Sequence, residues 1–342
     1  MTTQLDAQIG YVQESTYGTA VTVDSFVEFI EEDLTNMQEF AQGTGMRVGQ
    51  RMDYADRRVL VKQEVGGSFT VEGQTKGLGK LIEAAFGGTG ASNQIAATDA
   101  YQQLFTPTAT DPLDSYTIQK GIPLLGGGAS QPHTFTGMVC SGFELSAGNA
   151  AIPTLKFNWL GKAVVTGTAL ASASYPASVA ELSFIHGAVT VGGTVTVPTT
   201  TALASGGTAT ANIRDVNLAW DNGLDTDGFN FGAAGSRSRI NALGKRSLTG
   251  SMTVEYDSNT LRDAWLNQTD LAIVLTFKTA VAIEAANFPT LQITIPLVRL
   301  EGEIPSTAGG GVVTQSIDFT ALDGRVAAHP VYVAIVTAET AI

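Results

Sequence analysis

Apolar and polar residues alternate at period two along much of the chain, a pattern that puts one set of side chains on each face of a strand. Ser68-Phe69-Thr70-Val71-Glu72, Ser251-Met252-Thr253-Val254-Glu255 and Leu291-Gln292-Ile293-Thr294-Ile295-Pro296-Leu297 all carry it. Each predicts a strand with one buried face. Pro296 cannot donate to a ladder, so an edge or a bulge is expected there. Residues 331–336, Val-Tyr-Val-Ala-Ile-Val, predict a strand buried on both faces. Helical spacing is rare. Leu78, Leu81, Ile82 and Ala85 give one apolar stripe over 76–86, and Leu261, Ala264 and Trp265 give another behind an N-cap at Asp257 or Ser258. Small residues fill 87–131 and 164–207, and the second stretch is the expected linker.

These elements occur twice. Gly67-Ser-Phe-Thr-Val-Glu72 aligns with Gly250-Ser-Met-Thr-Val-Glu255, and at the same offset Leu78 falls on Leu261, Ile82 on Trp265 and Gly49 on Gly232. Upstream, Asp33-Leu34-Thr35-Asn36 resembles Asn217-Leu218-Ala219-Trp220. Downstream, Leu155-Lys-Phe157-Asn-Trp-Leu160 matches Ile317-Asp-Phe319-Thr-Ala-Leu322 at a shorter offset, which predicts an insertion in the first copy, within 87–131. The expected fold class is therefore mainly β (α+β): two tandem β-sandwich or partial-barrel domains, each with one short helix. The first spans 1–165, a linker or hairpin region spans 166–205, and the second spans 206–342.

Composition narrows the function. The 342 residues hold 32 Asp+Glu against 19 Lys+Arg, a formal charge of -13, and charged residues make up only 15%. No basic cluster exists to grip phosphates, and no run of about 20 apolar residues exists to cross a bilayer. The first residues, Met-Thr-Thr-Gln-Leu-Asp, lack the basic and apolar regions of a secretory signal, and Cys140 is the single cysteine. A cytoplasmic site of synthesis is expected. So little charge leaves strand edges poorly guarded, which suggests that other subunits cover much of the surface.

Candidate chemistry is sparse. His133, His186 and His329 stand in unrelated contexts, and no zinc-ligand spacing, nucleophile elbow or P-loop occurs. Gly43-Thr-Gly-Met-Arg-Val-Gly49 is spaced wrongly for a dinucleotide fingerprint. The segment 221–228, with Asp225 and Asp227, falls short of a calcium loop because its first and twelfth positions are Gly223 and Ala234. Adjacent acids such as Glu31, Glu32 and Asp33 point to alternate faces of a strand, which is not the geometry of a glycosidase pair. No catalytic, cofactor or metal residue is expected. What remains is an acidic run, six acids and no base between Asp24 and Glu39, suited to facing a polyanion without holding it.

The opening Ile9-Gly-Tyr-Val-Gln-Glu14-Ser-Thr-Tyr-Gly18-Thr-Ala-Val-Thr resembles the N-terminal signature of major tail tube proteins of long, non-contractile-tailed phages (siphoviruses). The blocks 26–40 and 47–58, the run Gly67–Glu72, the helix Leu78–Phe86, Phe135-Thr-Gly-Met138 with Phe143-Glu-Leu-Ser, 248–255 and Ile293–Pro296 are similar to that family too. The resemblance implies two tail-tube-like domains in a ring-forming virion protein, assembled in the host cytoplasm. Its rings would stack into a hollow tube around a tape-measure protein, meet a tail terminator and conduct phage DNA during ejection without binding it specifically, and no membrane is involved. The family commonly places six tube folds around the axis, so a duplicated chain implies homotrimeric, pseudo-sixfold rings, with homohexameric rings as the alternative. The loops 38–58 and 221–239 are expected to reach neighbours, with Arg57, Arg58, Arg237 and Arg239 meeting acidic faces such as Glu31, Glu32 and Asp33. Two other readings are a tail terminator or capsid decoration protein, and a carbohydrate-binding β protein, the latter poorly served by Trp159, Trp220 and Trp265 in core-like patterns.

Overall fold

A computed structural model describes residues 3–88, 90–126, 129–210, 212–302, 304–305, 307 and 309–342. In the first half the strands are β1 (Gln8–Gln13), β2 (Ser25–Val27), β3 (Glu31–Glu32), β4 (Thr35–Gln42) and β5 (Arg58–Glu72), then helix α1 (Gly79–Phe86), then β6 (Ala91–Gln94), β7 (Tyr101–Phe105), β8 (Tyr116–Ile122), β9 (Gln131–Ala147), β10 (Thr154–Gly161) and β11 (Ala163–Val165). In the second half they are β12 (Gly187–Val191), β13 (Val195–Thr196), β14 (Ser205–Gly206), β15 (Ile213–Asp221) and β16 (Ser247–Glu255), then α2 (Thr260–Leu266), then β17 (Leu271–Lys278), β18 (Thr290–Gly302), β19 (Thr314–Ala321) and β20 (Tyr332–Thr337).

The fold is mainly β, and the duplication is visible in its hydrogen bonding. The first half runs β1–β8–β9–β10–β5–β4 across the sheet, and the second half repeats that order as β12–β17–β18–β19–β16–β15. The pairings align Gly67 with Gly250 and Leu34 with Leu218, as the sequence predicts. They move the downstream match by two residues. Trp159 lies opposite Gly67 and Phe319 opposite Gly250, so Trp159, not Phe157, is the counterpart of Phe319.

Each copy packs its helix on one face of its sheet. Leu81, Ile82 and Ala85 on α1 are fully buried, and Gly87 ends the helix in the left-handed region at φ 65°, where a side chain would be strained. The N-cap of α2 is Asn259 rather than Asp257 or Ser258, with no side-chain bond to the helix. The proline expectation holds: the β17–β18 register shifts between Leu271 and Ile273, opposite Val298 and Ile295, which places Pro296 in a bulge.

The insertion is narrower than 87–131. β8 lies inside that range yet belongs to the shared six-strand order, so only the stretch before it is extra. That stretch holds β6 and β7, and β7 pairs with β20 of the other copy. The span 166–205 is not all connection either, because Gly187–Val191 is the edge strand of the second copy, paired with β17. A single hydrophobic core runs through both copies, from Ile9 and Phe69 to Ile317 and Ile335.

Candidate assembly surface

The two copies meet edge to edge. The second half of β9 carries β10 on one side and β15 of the second copy on the other, with Phe143 opposite Trp220 and Leu145 opposite Leu218. The seam is sealed from behind by α1. Phe86 packs edge-on against Phe143 at 5.9 Å and Trp220 at 5.1 Å, while Trp220 Nε1 and Asn222 Nδ2 both donate to the Ala85 carbonyl at 3.2 and 2.7 Å. Asn222 Nδ2 also donates to the Cys140 carbonyl at 3.1 Å. A helix-end carbonyl that would otherwise be orphaned, that of Ala85, is thereby satisfied by the neighbouring copy. Cys140 itself is fully buried, and burial pushes its thiol up to about 12.

After β15 the chain folds back over the first copy. Gln63 N–H donates to the Gly235 carbonyl at 2.8 Å, and Leu224, Ile240 and Leu243 form a small apolar cluster with Leu113 and Val139. Arg237 is the central pin. It is fully buried and donates to the Gly161 carbonyl at 2.8 Å, the Thr226 carbonyl at 3.0 Å and the Val65 carbonyl at 3.4 Å, with Glu64 at 3.5 Å and the Phe229 ring against its guanidinium. Burial lowers its pKa, and the Glu64 carboxylate opposes that effect. Both terminal guanidinium nitrogens thereby find acceptors, which offsets much of the cost of burying the charge, while Nε has no partner. Arg237 therefore has its partners within its own chain and presents no surface to a neighbour.

The remaining predicted residues divide. Arg239 pairs with Asp225 on the surface; that contact holds the Asp225 carboxyl below, and the guanidinium above, their usual ranges, while the Asp227 N–H donates to Asp225 Oδ1 at 2.9 Å. Asp33 accepts from Ser68 through backbone and hydroxyl. Thr70 Oγ1 donates to Glu31 at 3.4 Å. Glu32 binds Lys120 at 2.8 Å. Arg57 donates to the Gly45 carbonyl at 2.6 Å and lies over Tyr54, and Arg58 lies over Phe40 at 4.9 Å. Thus Arg57 and Arg58 stiffen the β4–β5 arm, whereas Arg237, Arg239, Asp225 and Asp227 belong to the loop on the first copy.

That arm carries a cluster of exposed apolar side chains, and Phe231 on the folded-back loop is fully exposed as well. Met46 and Val48 are fully exposed, Met52 is 80% exposed, and Met37, Phe40 and Val59 accompany them. The bare face of the continuous sheet, opposite the helices, is polar instead, with Glu144, Asn217, Ser251, Glu301 and Asp318 over a shallow cavity of about 600 Å³. Sequence reading missed Lys120, Arg246 and Glu14. Arg246 ties the seam through Asn222 at 3.0 Å and the Thr108 carbonyl, and buried Glu14 accepts from Ser115, Thr117, Gly18 and Gly137. Among the described residues no group of acids, histidines and cysteines is placed to hold a metal.

A family model described as phage tail tube protein matches residues 4–321, both six-strand copies included. No curated protein matches the chain.

Proposed function

Because the chain belongs to the phage tail tube protein family, a structural family of the virion tail, we propose that three chains close head to tail into a ring of six equivalent copies. Rings stack into the hollow tail tube of a long, non-contractile-tailed phage. One observation supports this above the rest. The six-strand order of one copy passes into that of the next through β9 and β15, while among the described residues no strand pairs with the outer edge of β4 or with the corresponding edge at the end of β18. An open sheet edge is a template for another strand, and repetition of one heterologous contact produces either a ring or a filament.

The bare polar face would line the lumen. Duplex DNA carries about one negative charge per 1.7 Å of axis, so a wall of small polar side chains with Glu144, Glu301 and Asp318 lets it pass without the counterion release that basic walls would bring. During assembly the same lumen would hold the tape-measure protein, and a tail terminator would cap the last ring. The apolar arm of β4 and β5 is the piece that reaches another subunit or ring. Arg57 and Arg58 on the arm, with Asp225, Asp227 and Arg239 on the folded-back loop and Glu31, Glu32 and Asp33 on the acidic edge, lie close to those contacts. Phage DNA and proteins are the partners, and no cofactor is required. Electron microscopy of the purified chain tests this reading: stacked annuli with three chains and pseudo-sixfold density are expected, and a solitary globule at high concentration would overturn it.

A further inference from the structure

The seam inside the chain is a template for the contact between chains. Internal pairings place Asn36 where Trp220 stands and Gln38 where Asn222 stands on β15, while Gly302 and Ile304 take the places of Phe143 and Leu145. The exposures agree. Leu145 is 1% exposed in the seam and Ile304 is 67% exposed at the open end. Ile82 on α1 is fully buried, whereas its counterpart Trp265 on α2 is only partly covered and Leu266 is 56% exposed. The second copy therefore ends in the surface that the first copy has already covered.

The open edge of β4 is not bare. Asp33 donates its backbone N–H to Ser68 on β5, so strand alternation turns Leu34 to the opposite side. There the Leu34 N–H donates to Glu32 Oε2 at 3.0 Å, and Lys120 Nζ donates to the Leu34 carbonyl at 2.7 Å. Glu32 and Lys120 are themselves an ion pair at 2.8 Å, largely shielded from water. In the seam these two backbone places belong to the Leu218–Leu145 pair, and the counterpart of Glu32 is Val216, an apolar residue. At the other open end Gln268 Nε2 donates to the Leu300 carbonyl at 3.3 Å. An ion pair stands where no strand has yet arrived, and an aliphatic residue stands where one has.

We infer that Glu32 and Lys120 cap the β4 edge of the free chain, and that β18 of a second copy displaces them, pairing Met37 with Glu301 and Asn36 with Gly302 in the register of the internal seam. This rests on the ring reading above and adds the strand, the register and the guard. Carbonyl for ammonium and N–H for carboxylate are exchanged for backbone partners, so no polar group is lost. The cap slows addition of strands in the wrong register, because only a strand that satisfies Leu34 replaces it without cost.

The test uses the full chain with Met37→Cys and Glu301→Cys together. These residues would face one another in a non-hydrogen-bonded antiparallel pair, whose Cα separation of about 4.5 Å admits a disulfide. Mild oxidation should give covalent dimers and trimers that stop at three chains, and neither single substitution should. Ala219→Cys with Glu144→Cys, inside one chain, reports that such a row can be bridged. Rings seen by microscopy without this cross-link would overturn the inference and leave the ring reading standing; no rings from the unsubstituted chain would overturn the ring reading itself. For the cap, Glu32→Gln with Lys120→Met should lower the concentration of half-assembly about three- to tenfold. Glu32→Gln alone, which keeps the ammonium on Leu34, should lower it about twofold. A half-assembly concentration unchanged in Glu32→Gln, with melting also unchanged, would overturn the cap.

Discussion

The connection between β4 and β5 and the connection between β15 and β16 occupy the same place in a duplicated fold, yet one projects and the other lies down. The first forms a two-stranded arm with Gln42 opposite Arg58 and with Met46, Val48 and Met52 in solvent. The second folds over the preceding copy and buries Arg237 between carbonyls of Val65, Gly161 and Thr226. The difference follows from what each copy finds upstream in its own chain. The second copy has the first as a neighbour, so its loop has a surface to cover. Among the described residues no copy lies against the arm of the first, and its apolar side chains stay in solvent. A loop that looks extended in isolation is thereby explained by its twin.

The largest effect should come from removing the pin. Arg237→Met leaves three buried carbonyls without their donor and is expected to cost about 3–5 kcal/mol in thermal or denaturant unfolding, whereas Arg57→Met on the arm should leave unfolding of the free chain unchanged. Equal losses from the two would break the comparison. Next is the helix end at the seam. Phe86→Ala should cost about 3–5 kcal/mol, while Leu266→Ala at the open end should leave melting unchanged and raise the concentration needed for assembly, as read by light scattering. A smaller, purely associative effect is expected for Met46, Val48 and Met52 changed together to Ser: ordinary melting, with shortened or absent tubes in micrographs.

The smallest effect concerns pH. Burial raises the Glu83 carboxyl above its ordinary value of 4.5, against the Gly90 N–H that favours the ion. Such a group contributes stability that is complete below pH 4.5 and is lost as pH rises through the raised value. Glu83→Gln should flatten the fall in melting temperature just above pH 4.5. The counterpart of Glu83 on α2 is Leu266, so the second copy should supply no matching term.

The duplication was legible because Gly-Ser-Phe-Thr-Val-Glu and Gly-Ser-Met-Thr-Val-Glu encode a physical need. A Cβ on Gly67 would press on Asp33 and Leu34 backbone, and one on Gly250 would press on the Asn217 carbonyl, so both glycines permit close strand approach. The helix stripe of α1 and the bulge at Pro296 were legible for similar local reasons. Strands β7 and β8 were hidden because polar residues, Gln102, Gln103, Thr117 and Gln119, take buried places beside Phe105, Tyr116 and Ile118. Gln102 and Gln103 are fully buried, and their Nε2 groups donate to distant carbonyls at Thr199, Ala202 and Ala341. Nothing within 101–105 announces those partners. Arg237 reads as a surface residue for the same reason, since two of its acceptors, the Val65 and Gly161 carbonyls, lie more than seventy residues away. Glu31, Glu32 and Asp33 adjoin in sequence, yet each meets a different partner, and the role of Glu32 at Leu34 depends on Lys120, eighty-eight positions off.

Fusing an armed copy and an armless one in fixed order has a mechanical consequence. A wheel of three such chains presents hooks at every second position, so a disc laid on top can be turned only in thirds of a revolution, not sixths. In such a wheel the polypeptide between the halves would act as a key, halving the number of angular settings open to the next disc.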